Sequence, residues 1–203
     1  MSKTCEPYVL LMDTNAPWVR SLFSALPGVL GRQQQLRAWR VYSLSYWLRS
    51  PRARTRSASD IVMPNVVERT AVLPGWRAGQ WLSTRILASI LGRTIERFGV
   101  PDAIVYTLPQ YAGLAERFCS YRQVYYAYDP YEFYSGWCGT RVKALEIRML
   151  KACRAAFAVS RQLVDDLQKL SQTPVHYSPN AVSQAFIEAL RKAAGPVPAD
   201  LAH

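Results

Sequence analysis

The sequence predicts an α/β protein built on an open, mostly parallel sheet of about seven strands with helices on both faces. Two observations predict it. Short apolar runs alternate with segments of helical period along most of the chain. Several of those runs also stop at a polar residue or a proline, as strands do when their carboxyl ends open into loops. At 203 residues the chain is long enough to bury a core of its own, and 50% hydrophobic with 19% charged residues describes an ordered protein.

The elements follow in order. YVLLM (8–12) is a compact strand ended by Asp13-Thr14-Asn15. A dinucleotide-binding fold would place a Gly-rich loop there, and without GxGxxG there is little support for an NAD or FAD site. The segment from Trp18 to Phe23 opens the first helix, and Pro27-Gly28 closes it. RVYSLSYW (40–47) alternates and is expected as a second strand towards an edge, with ERTAVLP (68–74) a third. The run 79–98 is the longest helix, its stripe made by Leu82, Ile86, Leu87, Ile90, Leu91, Ile95 and Phe98. Trp76, Arg77 and Trp81 at its entry suit either packing or a headgroup layer. Gly99 and Pro101 stop it, DAIVYT (102–107) is the fourth strand, and Pro109 opens a further helix.

From Arg122 the pattern sharpens. RQVYYAYDPYEFY starts as a strand and reaches Asp129 just before Pro130. TRVKALEIRMLKAC is a helix, AAFAVS a buried strand closed by Ser160, and RQLVDDLQKL a second helix. The strand VHYS then leads to the turn Pro179-Asn180-Ala181-Val182. Tyr125, Tyr126 and Tyr128 are assigned to packing. Beyond Asp129 the chain leaves the strand, so Tyr131, Glu132, Tyr134 and Trp137 are candidates for a loop in which sugar rings stack on aromatic faces.

The net charge of +11 is carried mostly by arginine, most densely in LRSPRARTRSAS (48–59). Arg49, Arg52, Arg54 and Arg56 are compatible with a solvated loop, with phosphate or an anionic membrane surface, and with nucleic acid. The last is disfavoured because no reader motif accompanies the charge. Cys5, Cys119, Cys138 and Cys153 lack metal-ligand spacing, and two histidines are too few for a histidine metal site. The segment MSKTCEP has no apolar signal-peptide core, and no run reaches the ~18 apolar residues of a spanning helix. A cytoplasmic protein is expected, placed at the inner face of the cell membrane if the arginines meet lipid.

The succession from Asp129 to Phe186 resembles the GT-B glycosyltransferases, in particular the family-4-like enzymes and their N-terminal, Rossmann-like, acceptor-side domain. Asp129-Pro130 stands where those relatives carry a strand-end "DD" pair, and Glu146 is the helix glutamate. CRAAFAVS matches "ADLVFATS", and Pro179-Asn180-Ala181-Val182-Ser183 with Phe186 matches "PNGVD…F". Pro130, Arg154, Ala181 and Ser183 depart from that pattern.

The resemblance implies transfer of a sugar from a nucleotide-sugar donor to a glycan or lipid-linked acceptor, as in polysaccharide biosynthesis. Residues 1–194 would form the acceptor-side domain, and the Pro-rich 195–203 would begin the linker to a donor-binding domain, without which the chain would be inactive. It further implies Asp129 as general base if the enzyme inverts the sugar's anomeric configuration, a base that a retaining enzyme does not need. Substrate contacts from Asp13, Asn15, Ser160 and Asn180 are implied as well, with no metal or cofactor beyond the donor. For Asp13 and Asn15 a strand-end cap is the competing assignment. A non-catalytic domain that binds a glycan, a lipid carrier or a partner subunit is the alternative function. A basic nucleic-acid module is a weaker one.

Overall fold

The computed structural model describes residues 7–13, 35–58, 61–63, 66–75, 79–134 and 137–179. They form one sheet of eight strands: β1 (Tyr8–Met12), β2 (Gln35–Ser43), β3 (Ile61–Met63), β4 (Val66–Leu73), β5 (Ala103–Tyr106), β6 (Gln123–Ala127), β7 (Ala155–Ala158) and β8 (Val175–Tyr177). Their order is β3-β4-β2-β1-β5-β6-β7-β8. Seven strands are parallel, and β3 alone runs antiparallel, against β4 at the edge. This is the expected Rossmann-like α/β architecture, with one more strand than expected.

Among the described residues six α-helices accompany the sheet: α1 (Leu44–Arg49), α2 (Pro51–Ala58), α3 (Gln80–Phe98), α4 (Ala112–Arg117), α5 (Gly139–Ala152) and α6 (Arg161–Gln168). The main core lies under α3 to α6. Tyr8, Leu10, Met12, Ile104, Tyr106, Tyr125 and Ala127 point from alternate strand positions onto Leu87, Leu91, Leu114, Met149, Leu150 and Leu167. Leu87 and Leu91, both fully buried in the α3 stripe, each contribute about 1.5–3 kcal/mol. Gly99 ends α3 at φ 83°, a left-handed conformation natural to glycine. A smaller apolar cluster of Leu11, Leu36, Ala38, Val105 and Tyr126 occupies the opposite face.

Two expectations near the start of the chain need correction. The second strand is not 40–47 at an edge. It is Gln35–Ser43, inside the sheet between β1 and β4, and the chain turns helical at Leu44. Ser43 causes the change: its hydroxyl accepts from the Tyr46 amide at 3.3 Å and caps α1. The interior place of β2 also explains Arg40, which is buried beside Glu68 of β4 with Nε to Oε2 at 3.4 Å. The arginine-rich run is likewise helix α2 rather than an irregular loop. The first predicted helix, from Trp18 to Gly28, lies outside the described residues, as do Trp76 and Arg77 at the entry of α3.

Candidate functional site at the carboxyl edge

Seven parallel strands present their carboxyl ends along one edge. From β1 the chain steps outward to β2 and β4, then returns to β5 beside β1 and proceeds to β8. The reversal between β1 and β5 opens a crevice where sheets of this kind bind ligands. Asp13 follows β1 there and Thr107 follows β5. The Thr107 hydroxyl lies 3.1 Å from the Met12 carbonyl and 3.2 Å from that of Asp13, while the Asp13 amide donates to the Trp39 carbonyl at 2.9 Å.

Asp13 adopts φ 74°, the only positive φ of a non-glycine residue among the described residues. A short polar side chain tolerates this conformation better than most. The residue is buried, and its Oδ2 accepts the Tyr111 hydroxyl at 2.8 Å. Burial, and then the Asp13 charge, push the Tyr111 hydroxyl well above its ordinary range, so it remains a donor. Asp13 thus sits at the crevice with its carboxylate already engaged.

The aromatic segment after β6 forms the other wall. Tyr131, expected to face a ligand, is 1% exposed instead, and its hydroxyl donates to the Thr107 carbonyl at 2.6 Å. Its ring meets Tyr128 and Tyr134 edge-on at 5.3 and 5.6 Å and stacks on Trp137 at 5.7 Å. Such contacts are favourable beyond the area they bury. Tyr131 therefore supports the loop from within, while Tyr134 is exposed and Trp137 half-buried. Tyr125 and Tyr126 are buried, as their packing assignment requires, and Tyr128 is half-buried.

Asp129 is half-buried and accepts a hydrogen bond from the Tyr134 hydroxyl. That hydroxyl is pushed up to about 12 by desolvation and by the Asp129 carboxylate. Glu132 pairs with Lys143 at 3.1 Å. The edge thus offers a carboxylate able to accept a proton from a hydroxyl, beside aromatic faces open to solvent.

Ser160 stands at the end of β7, but its hydroxyl accepts from the Leu163 amide at 3.1 Å and caps α6. Asn15 and Asn180 lie outside the described residues. Arg49, Arg52 and Arg54 are exposed on α1 and α2, and the backbone of Arg56 belongs to α2. Among the described residues no cluster of His, Cys, Asp and Glu is suited to a metal ion. No helix among them is long and apolar enough to cross a membrane.

Glu146, the helix glutamate of the resemblance, was given no role in the site. Its carboxylate is buried on α5 and accepts the Tyr125 hydroxyl at 3.2 Å. Burial raises it to about 7; Glu132 pushes in the same direction, and Tyr125 and Lys143 oppose it. The available signal was spacing, because Glu146 falls on the inward stripe of Val142, Leu145, Met149 and Leu150.

No protein-family model matches this chain, and no curated protein matches it in sequence. Solved structures do match in fold. A sucrose-phosphate synthase from Thermosynechococcus elongatus aligns over 92% of this chain and 95% of its own, at 12% identity and a TM-score of 0.58. The UGT2 of Phytolacca americana, complexed with UDP-2fluoro-glucose and pterostilbene, aligns over 92% of this chain at 11% identity and a TM-score of 0.52. The UGT89C1 of Arabidopsis thaliana, complexed with UDP, aligns over 93% at 12% identity and a TM-score of 0.50. This chain spans 57% and 56% of those two structures. At such identities the likeness is one of fold alone.

Proposed function

We propose that this chain is the acceptor-side domain of a GT-B glycosyltransferase that moves a sugar from a nucleotide-activated donor to a hydroxyl of a glycan or lipid-linked acceptor. The observation that carries the reading is Asp129: a half-buried carboxylate at the mouth of β6, hydrogen-bonded to an exposed tyrosine hydroxyl beside open aromatic faces. An acceptor hydroxyl taking the place of the Tyr134 hydroxyl would meet a general base. Tyr134 and Trp137 would stack on its ring, and Asp13 would line the floor. The segment 179–186 belongs to this reading as the counterpart of the "PNGVD…F" turn. Residues 1–194 would be the acceptor half, and 195–203 would begin the connection to a donor-binding domain.

The test uses the protein with its donor-binding domain, a panel of nucleotide-sugars and acceptors, and nucleotide release as readout. Asp129→Asn is expected to keep the melting temperature and acceptor binding while cutting turnover by roughly 10²–10⁴, the usual contribution of a general base. Wild-type turnover in that variant would remove Asp129 from catalysis. The alternative, a glycan-binding domain without turnover, is favoured by the existing partners of both carboxylates, Tyr134 on Asp129 and Lys143 on Glu132. Acceptor binding with no nucleotide release under any donor would support it.

A further inference from the structure

We propose that α1 and α2 form a docking surface for anionic membrane lipid, independent of any sugar transfer. The sequence expected residues 44–47 inside a strand, yet in the fold they make a helix with no buried residue. Leu44, Tyr46 and Leu48 are about half exposed, at 44%, 53% and 54%. Leu44 and Leu48 are one turn apart and so share a face. Next to them stand Arg49, Arg52 and Arg54, all exposed, with Ala53 of α2 turned inward to seat the helix.

The charge selects among occupants. From Leu44 to Ala58 the sequence contains four arginines and no aspartate or glutamate. A second copy of this patch would set arginine against arginine. A protein partner would need a carboxylate array to match. An anionic bilayer supplies phosphates to the guanidinium groups and an apolar layer to the leucines at once. The backbone bonds of Arg49 to Ser45 and of Arg54 to Leu48 hold two guanidinium groups close to the apolar residues. On the neighbouring strand β4, the chain leads to Trp81, 67% exposed at the start of α3, a residue type suited to the headgroup level. Both segments follow strand carboxyl ends, so a docked membrane would lie at the same edge as Asp129.

The experiment is co-sedimentation of the full chain with vesicles of phosphatidylcholine alone or mixed with phosphatidylglycerol. The wild type is expected to pellet with the mixed vesicles only and to be released as NaCl is raised from about 0.1 M to about 0.5 M. Replacing Arg49, Arg52 and Arg54 together by Gln, or Leu44 and Leu48 together by Gln, should each weaken binding roughly tenfold or more. The charge-keeping Arg→Lys set should bind within about threefold of wild type. Soluble glycerol phosphate should not compete, which separates a membrane surface from a lone phosphate pocket. Equal pelleting with neutral vesicles, competition by glycerol phosphate, or undiminished binding by the leucine variant would each overturn the proposal. So would a dimer in vesicle-free sedimentation that the leucine variant abolishes. The wild-type measurements stand even if a variant fails to fold.

Discussion

Asp13 and Asp129 both follow a strand of the sheet, and both accept a hydrogen bond from a tyrosine hydroxyl, but their surroundings differ. Asp13 is enclosed, with a left-handed backbone and a fully buried partner, Tyr111. Asp129 is half-open, and its partner Tyr134 is itself exposed. Glu146 with Tyr125 repeats the enclosed version between α5 and β6. A tyrosine–carboxylate bond inside the protein fixes structure, because losing it strands a polar group away from water. The same bond at the surface exchanges with solvent or with a ligand hydroxyl at little cost. Burial, rather than residue type, separates a supporting carboxylate from one free to change partners.

Tyr131 joins the two regions, and removing it should produce the largest effect. Tyr131→Ala is expected to cost about 3–5 kcal/mol in urea unfolding, as other buried aromatic truncations do. Tyr131→Phe should cost only about 1 kcal/mol for the bond to the Thr107 carbonyl. An Ala variant within ~1 kcal/mol of wild type would mean that the enclosed and open regions are energetically separate.

The buried Glu146 sharpens the comparison through pH. Its carboxyl is raised in the fold from an ordinary 4.5 to about 7, so between those values the native state holds a proton that the unfolded chain releases. Stability from this group is therefore greatest below about pH 4.5 and is lost as pH rises towards 7. The span is on the order of 3 kcal/mol. Glu146→Gln keeps an acceptor for Tyr125 and should abolish that slope, leaving the variant the more stable at pH 8. Parallel unfolding curves for the two proteins across this range would show that Glu146 reaches water freely.

The smallest effects compare the two strand-end pairs directly. Tyr111→Phe removes a bond to a buried carboxylate and should cost about 1.5–3 kcal/mol. Tyr134→Phe removes an exposed one and should change stability by no more than about 0.5 kcal/mol. Equal losses from the two substitutions would erase the distinction between enclosed and open aspartates.

The second half of the chain was legible because its punctuation is local. Gly99 and Pro101 stop α3, Pro130 stops β6, and Ser160 starts α6 within a few residues of where each was expected. Around residue 44 the same approach failed. The alternating pattern of β2 runs on through Tyr46, and only the cap at Ser43 marks the change to helix. The three-residue strand β3 is too short to leave a periodic trace. Within the site, Asp129 stood out because proline follows it. Tyr131 was misjudged because an aromatic residue past a strand end reads as a loop position, whereas its burial depends on Thr107 in another strand. Asp13 offered no hint of its backbone conformation, and its tyrosine partner is 98 positions away.

That separation bears on how the molecule assembles. On a growing chain, β1 and β2 can meet once some forty residues exist, and β5 to β8 pair with near neighbours in sequence. The contact between Asp13 and Tyr111 has to wait for another 98 residues after Asp13. Closing so long a loop costs entropy before any contact returns it, so pairings of this kind slow folding. A ribosome-bound nascent chain halted before residue 111 would carry β1 without the partner of its terminal aspartate. The crevice between β1 and β5 is thus a seam joining an early portion of the chain to a later one, and it comes into being only when the two are sewn together.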